Sequence, residues 1–206
     1  MTKIITIIAL FVASIVSAQT QFEKGMGSAL KLWSEGKNTE AIAQFERIAL
    51  VEKTNWLPNY YIALINTTQA FQEQDKTKVV ALLEAAQKAQ DACNDLAIDN
   101  PEVIVMQAMI HTAWIVYDPM INGQKLYGDV MFLYEKAEKI APNNPRVVFN
   151  KASFEKGGAE YFGQDTQPMC EKIKASIELF ANFKPETPFH PNWGIERAKQ
   201  EAENCK

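Results

Sequence analysis

Few residues in this sequence have the type and spacing to do chemistry. Gln107, His111 and Trp114 lie about one helical turn apart, so they can form a polar stripe along a groove. The alternative is a core histidine satisfied by Gln107 or a backbone carbonyl, the usual fate of an isolated polar group in a core. Arg146 and Asn150 are also one turn apart, and a guanidinium with an amide can grip a carboxylate or a peptide backbone. Otherwise Arg146 caps the preceding helix and Asn150 is simply exposed. Met106 and Met109 offer soft sulfur, but methionine at helical spacing normally fills core gaps. With two histidines and no paired-Cys spacing, no metal site is expected. Gly157-Gly158 and Gly163 have no Gly-Lys-Ser/Thr after them, so they make no phosphate loop. No local context resembles a Ser-His-Asp or Cys-His arrangement. The expectation is a protein without catalytic residues, resident metal or cofactor.

The elements that must position these residues begin after an export segment. Lys3 is a short basic start, Ile4 to Val12 is apolar, and Val16-Ser17-Ala18 is a small-residue cleavage site before Gln19. Residues 1–18 are therefore read as a cleavable signal peptide and 19–206 as the folded domain. The apolar run is short for a membrane span, and no second long one follows, so no membrane insertion is expected after cleavage. Cleavage removes one lysine and no acid, taking the formal charge from −4 to −5. That speaks against a nucleic-acid binder, which needs a basic face. Apolar residues make up 47% of the chain, enough for a sizeable core. The expected compartment is the periplasm or the outside of the cell.

The mature sequence reads as helices in pairs. Phe22 to Glu35 is followed by a Gly36 turn and a helix carrying Ala41, Ile42, Phe45 and Ile48 on one face. Trp56-Leu57-Pro58 opens a second pair, whose later helix shows Val79, Leu82, Ala86, Ala89, Cys93 and Leu96 in a packed seam. Asn100-Pro101 opens a third. Its first helix, Val103 to Tyr117, is apolar nearly all round and should be central. Asp118-Pro119 ends that helix, and Met120 to Gly128 reads as a long connection. Pro145 opens a fourth pair, broken at Gly157-Gly158. A proline-rich tail and a short last helix close the chain.

Three cysteines allow one internal pair. Cys93 falls on the seam and reads as a buried thiol. If the last helix packs antiparallel to its predecessor, Cys205 returns to Cys170, and an exported protein meets conditions that permit the bond; two free thiols are the alternative.

The run Tyr134…Ala137…Pro142-Asn143-Asn144-Pro145, with Ala29, Gly36, Ala41 and Phe45 earlier, resembles tetratricopeptide (TPR) repeats. Trp56-Leu57-Pro58-Asn59-Tyr60-Tyr61, Pro145-Arg146, Gly157-Gly158 and Pro191-Asn192-Trp193-Gly194, in that order, are similar to segments of exported TPR-type proteins of the Bacteroidota. The resemblance implies an all-α, TPR-like solenoid of about four helix pairs with a C-terminal capping helix. In such solenoids the first helix of each pair lines a concave, partner-binding face. On this chain that face would hold Asn59, Tyr60, Asn66, Gln107, His111, Arg146 and Asn150. The function this implies is a non-catalytic scaffold or assembly factor for a protein or peptide partner. A small-molecule or lipid carrier with an aromatic pocket of Trp56, Tyr60, Trp114 and Tyr117 is the alternative, and an enzyme with an unrecognised site a third. Mass spectrometry of the protein from its native host should find a mature N-terminus at Gln19; an intact Met1 chain in the cytoplasm would contradict export.

Overall fold

The computed structural model describes residues 21–205, and the expected signal segment with its cut before Gln19 lies outside the described residues. Every regular element among the described residues is a helix. They are α1 (21–34), α2 (Asn38–Val51), α3 (Leu57–Ala70), α4 (Lys76–Ala97), α5 (Pro101–Tyr117), α6 (Pro119–Ile140), α7 (Pro145–Tyr161), α8 (Gln167–Asn182) and α9 (Ile195–Glu203). Three of them start by one local device. Asn100, Asp118 and Asn144 each accept hydrogen bonds from free N–H groups of the first turn, with a proline at the next position. Proline loses nothing there, because that N–H would have no helical partner.

Short connections fold successive helices back on one another. The row α3, α5, α7 packs in sequence, with α4, α6 and α8 as their respective partners. The centre is α5, where Val103, Val105, Met106, Ala108 and Ile110 have no accessible surface. That follows from a sequence apolar on nearly every face.

Three positions differ from what the sequence leads one to expect. Met120 to Gly128 is not a loop: the turn is Asp118 alone, and α6 begins at Pro119. The Asp-Pro step ends one helix and nucleates the next. Gly157-Gly158 does not break α7, because neither glycine takes a positive φ and the helix runs on to Tyr161. On α4 the seam passes through Leu83 rather than Leu82, and Leu96 is exposed.

A buried ion pair joins two helices of the α3, α5, α7 row. Arg146 donates from Nε to Glu102 Oε2 at 2.7 Å and from Nη2 to Oε1 at 2.6 Å. Asn144 Nδ2 donates to the same Oε1, also at 2.6 Å. The pair links the starts of α5 and α7. Its third partner is the tail, residues 183–194. Arg146 Nη1 donates to the Trp193 carbonyl at 3.4 Å, and the guanidinium lies 4.4 Å from the Phe183 ring centre. The tail continues this contact elsewhere: Trp193 Nε1 donates to the Tyr60 hydroxyl at 3.0 Å, and the Tyr61 hydroxyl donates to the Phe189 carbonyl at 2.9 Å. It ends at Gly194, whose φ of +112° suits glycine and where a Cβ would meet Phe180 at 2.8 Å. Helix α9 then packs on α8, and Cys170 and Cys205 are bonded, with Cα atoms 5.6 Å apart. Cys93 is a buried free thiol, and burial pushes its pKa up to about 12.

A fully buried guanidinium that loses its carboxylate is left uncompensated. Glu102→Leu or Arg146→Met alone should cost about 3–5 kcal/mol, and the double variant should recover most of it. A loss in the double variant equal to the sum of the two single losses, by chemical denaturation, would show that the residues are not coupled.

Candidate functional site

The expected concave-face residues do not converge. Arg146 has no accessible surface and is held by Glu102, so it has no free donor face to offer a partner. The placement corrects the picture of Arg146 as a groove residue, because its side chain turns inward to a carboxylate on the neighbouring pair. Tyr60 is fully buried, and burial raises its hydroxyl pKa. Asn66 is buried and donates back to the Ile62 carbonyl at 2.8 Å. Gln107 is half-buried and bonded to Gln87 of α4 at 2.9 Å. Asn59 is half-buried. His111 is half-buried with Nδ1 lacking a partner among the described residues. Burial lowers its pKa, opposed by Asp129. Asn150 is buried, its Nδ2 donating to the Arg146 carbonyl at 2.7 Å, and it alone of the seven lines the larger of two cavities.

The expected aromatic pocket separates into two clusters. Trp56 packs edge-on to Tyr60 and beside His190 of the tail, while Trp114 packs on Tyr117 at the far end of α5. Neither pair lines the large cavity; Trp56 borders a smaller one of about 700 Å³ under the tail.

The large cavity measures about 1050 Å³ and opens between the end of α5, the first half of α6 and the end of α7. Ligand pockets run to roughly 300–1,000 Å³, so it is large enough for a sizeable organic molecule. Helix geometry builds its walls. Met120, Gly123, Gln124, Tyr127 and Gly128 recur on one face of α6. Ser153, Phe154, Gly157, Gly158 and Tyr161 do so on α7, facing them. The Tyr127 and Phe154 rings meet across the gap at 5.3 Å, and Tyr134 backs Phe154 at 6.0 Å.

Two features set this face apart from ordinary core. The first is that α6 buries only Val130, Tyr134 and Ala137, so the apolar side chains of its first half stay partly or largely exposed. Met120 is 75% exposed, and Tyr161 and Phe162 are each 68% exposed. The second is glycine. A Cβ added at Gly123, Gly128 or Gly157 would meet nothing within 4 Å. None of these three takes a positive φ. Neither turn geometry nor packing requires glycine there, yet each costs a helix interior about 0.5–1 kcal/mol relative to alanine. What glycine provides at these points is space.

The lining is chemically lopsided. Thr112, Gln124, Asn150, Ser153 and Gln164 offer neutral polar groups, and Arg197 of α9 is the one charged residue. Met120, Tyr127 and Tyr161 add a thioether and two phenols, whereas neither histidine lines the cavity. The signal for this site in the sequence is the glycine and aromatic spacing on α6 and α7. Gly123-x₃-Tyr127-Gly128 and Phe154-x₂-Gly157-Gly158-x₂-Tyr161 are two helical faces of one kind, which cannot be recognised as such where glycine is taken to end a helix.

The fold is thus an all-helical stack with one large, open, mostly apolar cavity. Among solved structures, it is similar to the HusA haemophore from Porphyromonas gingivalis, with a TM-score of 0.74, 25% identity, and coverage of 89% of this chain and 92% of that chain. No family model and no curated protein matches the chain.

If the glycines serve the cavity, Gly123→Ala and Gly128→Ala should each stabilise the free protein by about 0.5–1 kcal/mol. Each melting temperature would rise by roughly 1–4 °C in calorimetry. A fall would show that the glycines serve the fold instead.

Proposed function

We propose that this protein is a non-catalytic carrier that binds a flat, largely apolar small molecule of the tetrapyrrole kind, haem first among them, in the cavity between α6 and α7. The observation that carries this reading is the set of helix-interior glycines facing empty space. They thin both walls so that a planar ring can lie against backbone, while Tyr127, Phe154 and Tyr161 present faces and edges for stacking. Met120, Tyr127 and Tyr161 are also of the residue types that can ligate a haem iron. The similarity to a haemophore over nearly the whole chain supports the same ligand class. The expected peptide scaffold has less support, since six of its seven contact residues lie away from this cavity.

We read residues 1–18 as a signal peptide and the helical hairpins as one TPR-like domain acting in the periplasm or outside the cell. The Cys170–Cys205 bond fits an oxidising compartment, and no helix among the described residues is long and apolar enough to cross a membrane.

Haem added to the purified protein should give a saturable change in its main absorption band. Gly157→Trp, which fills the cavity from a helical position with room for a side chain, should weaken binding by about tenfold or more while the protein stays folded. Unchanged affinity in that variant, or no haem binding by the parent, would overturn the proposal.

A further inference from the structure

Arg197 stands out because every other residue lining the cavity is uncharged. It is exposed, so it needs no carboxylate to stay charged, and it reaches the cavity as its single cation. Among the described residues Arg197 forms neither an ion pair nor a hydrogen bond, although α9 holds three glutamates. None of the three pairs with it, although Glu201 lies at the same end of the cavity. Glu196 pairs with Lys199 at 2.9 Å. Glu201, one turn beyond Arg197, accepts from Ser153 Oγ at 2.9 Å. Glu203 is exposed near the helix end. The guanidinium instead lies 5.9 Å from the ring centres of both Phe71 and Phe149. It is close enough to Tyr134, buried in the cavity wall, to oppose the rise that burial imposes on that hydroxyl's pKa.

We infer that the ligand of this cavity is an amphiphile with an anionic group, and that Arg197 is the residue that receives that group. The inference deepens the carrier reading and rests on it for the site, though not on the ligand being a tetrapyrrole. An apolar body would occupy the space between α6 and α7, and its acid group would emerge towards α9. Asn150 and Ser153, one turn apart on the α7 wall, mark that end as the polar one. A planar guanidinium suits a carboxylate better than an ammonium would, since it can donate two parallel hydrogen bonds. Its place depends on α9, which Gly194 starts and the Cys170–Cys205 bond ties to the start of α8.

The test uses two fluorescent probes that share a body and differ in charge: 1-anilinonaphthalene-8-sulfonate and uncharged N-phenyl-1-naphthylamine. The parent protein should bind the sulfonate about tenfold or more tightly than the neutral probe. Arg197→Gln should remove that preference by weakening the sulfonate alone, and Arg197→Lys should restore part of it. Gly157→Trp should weaken both, which places them in the cavity. Sulfonate affinity unchanged by Arg197→Gln, an equal loss for both probes, or no sulfonate binding by the parent would overturn the inference. A parallel titration with protoporphyrin IX and its dimethyl ester separates it from the tetrapyrrole reading. Binding of neither porphyrin sinks only that reading. Equal binding of acid and ester, unaffected by Arg197→Gln, sinks the inference and leaves the tetrapyrrole reading standing.

Discussion

The buried pair of Glu102 and Arg146 is the constraint from which the rest follows. Two opposite charges without solvent are tolerable only when each is well hydrogen-bonded, and here the bonds come from three segments. Glu102 receives Arg146 twice and Asn144 once, while Arg146 also reaches the Trp193 carbonyl. The starts of α5 and α7 and the tail therefore cannot move independently without breaking a charged bond. Position in the sequence amplifies the effect. Trp193 lies one residue before Gly194, and Gly194 begins the helix that carries Arg197 to the cavity. The same pair that clamps α5 to α7 thus also holds the residue next to the start of the last helix.

With one end of the α5–α7 packing clamped, the other is free to diverge. Between the end of α5 and the end of α7 the helices part, and the first half of α6 stands in the gap without a buried side chain of its own. A core would close such a gap with leucine or phenylalanine. This sequence places Gly123, Gly128 and Gly157 there and exposes Met120, Tyr161 and Phe162. Leaving apolar side chains in water and glycines in helices both disfavour the free protein. A ligand that buries the apolar surface offsets the first cost and explains the second.

Much of the fold is legible in the sequence. Asn100-Pro101 and Asn144-Pro145 mark helix starts, and the all-round apolar run from Val103 by itself demands a central position for α5. What is not legible has a shared cause. Asp118-Pro119 can both end and begin a helix, and Gly157-Gly158 can break or merely thin one; local chemistry permits either, and tertiary packing chooses. The same ambiguity hides the site, since an aromatic beside glycine reads as a loop unless both flanking helices are known to continue. Arg146 is visible as a candidate, but its burial depends on the distant Glu102, which helical phase alone cannot reveal. Arg197 looks like any charge on a short amphipathic helix, and only its place in the lining of the cavity distinguishes it.

The central claim is that a planar ligand lies between α6 and α7, and methionine methyl groups report on it directly. Met109 and Met120 line the cavity, whereas Met26 and Met169 lie elsewhere in the fold. In a carbon–proton spectrum of methyl-labelled protein, a diamagnetic zinc protoporphyrin should move the Met109 and Met120 signals by its ring current and leave Met26 and Met169 in place. Movement of Met26 or Met169 with Met120 unchanged would put the ligand somewhere else and contradict the account.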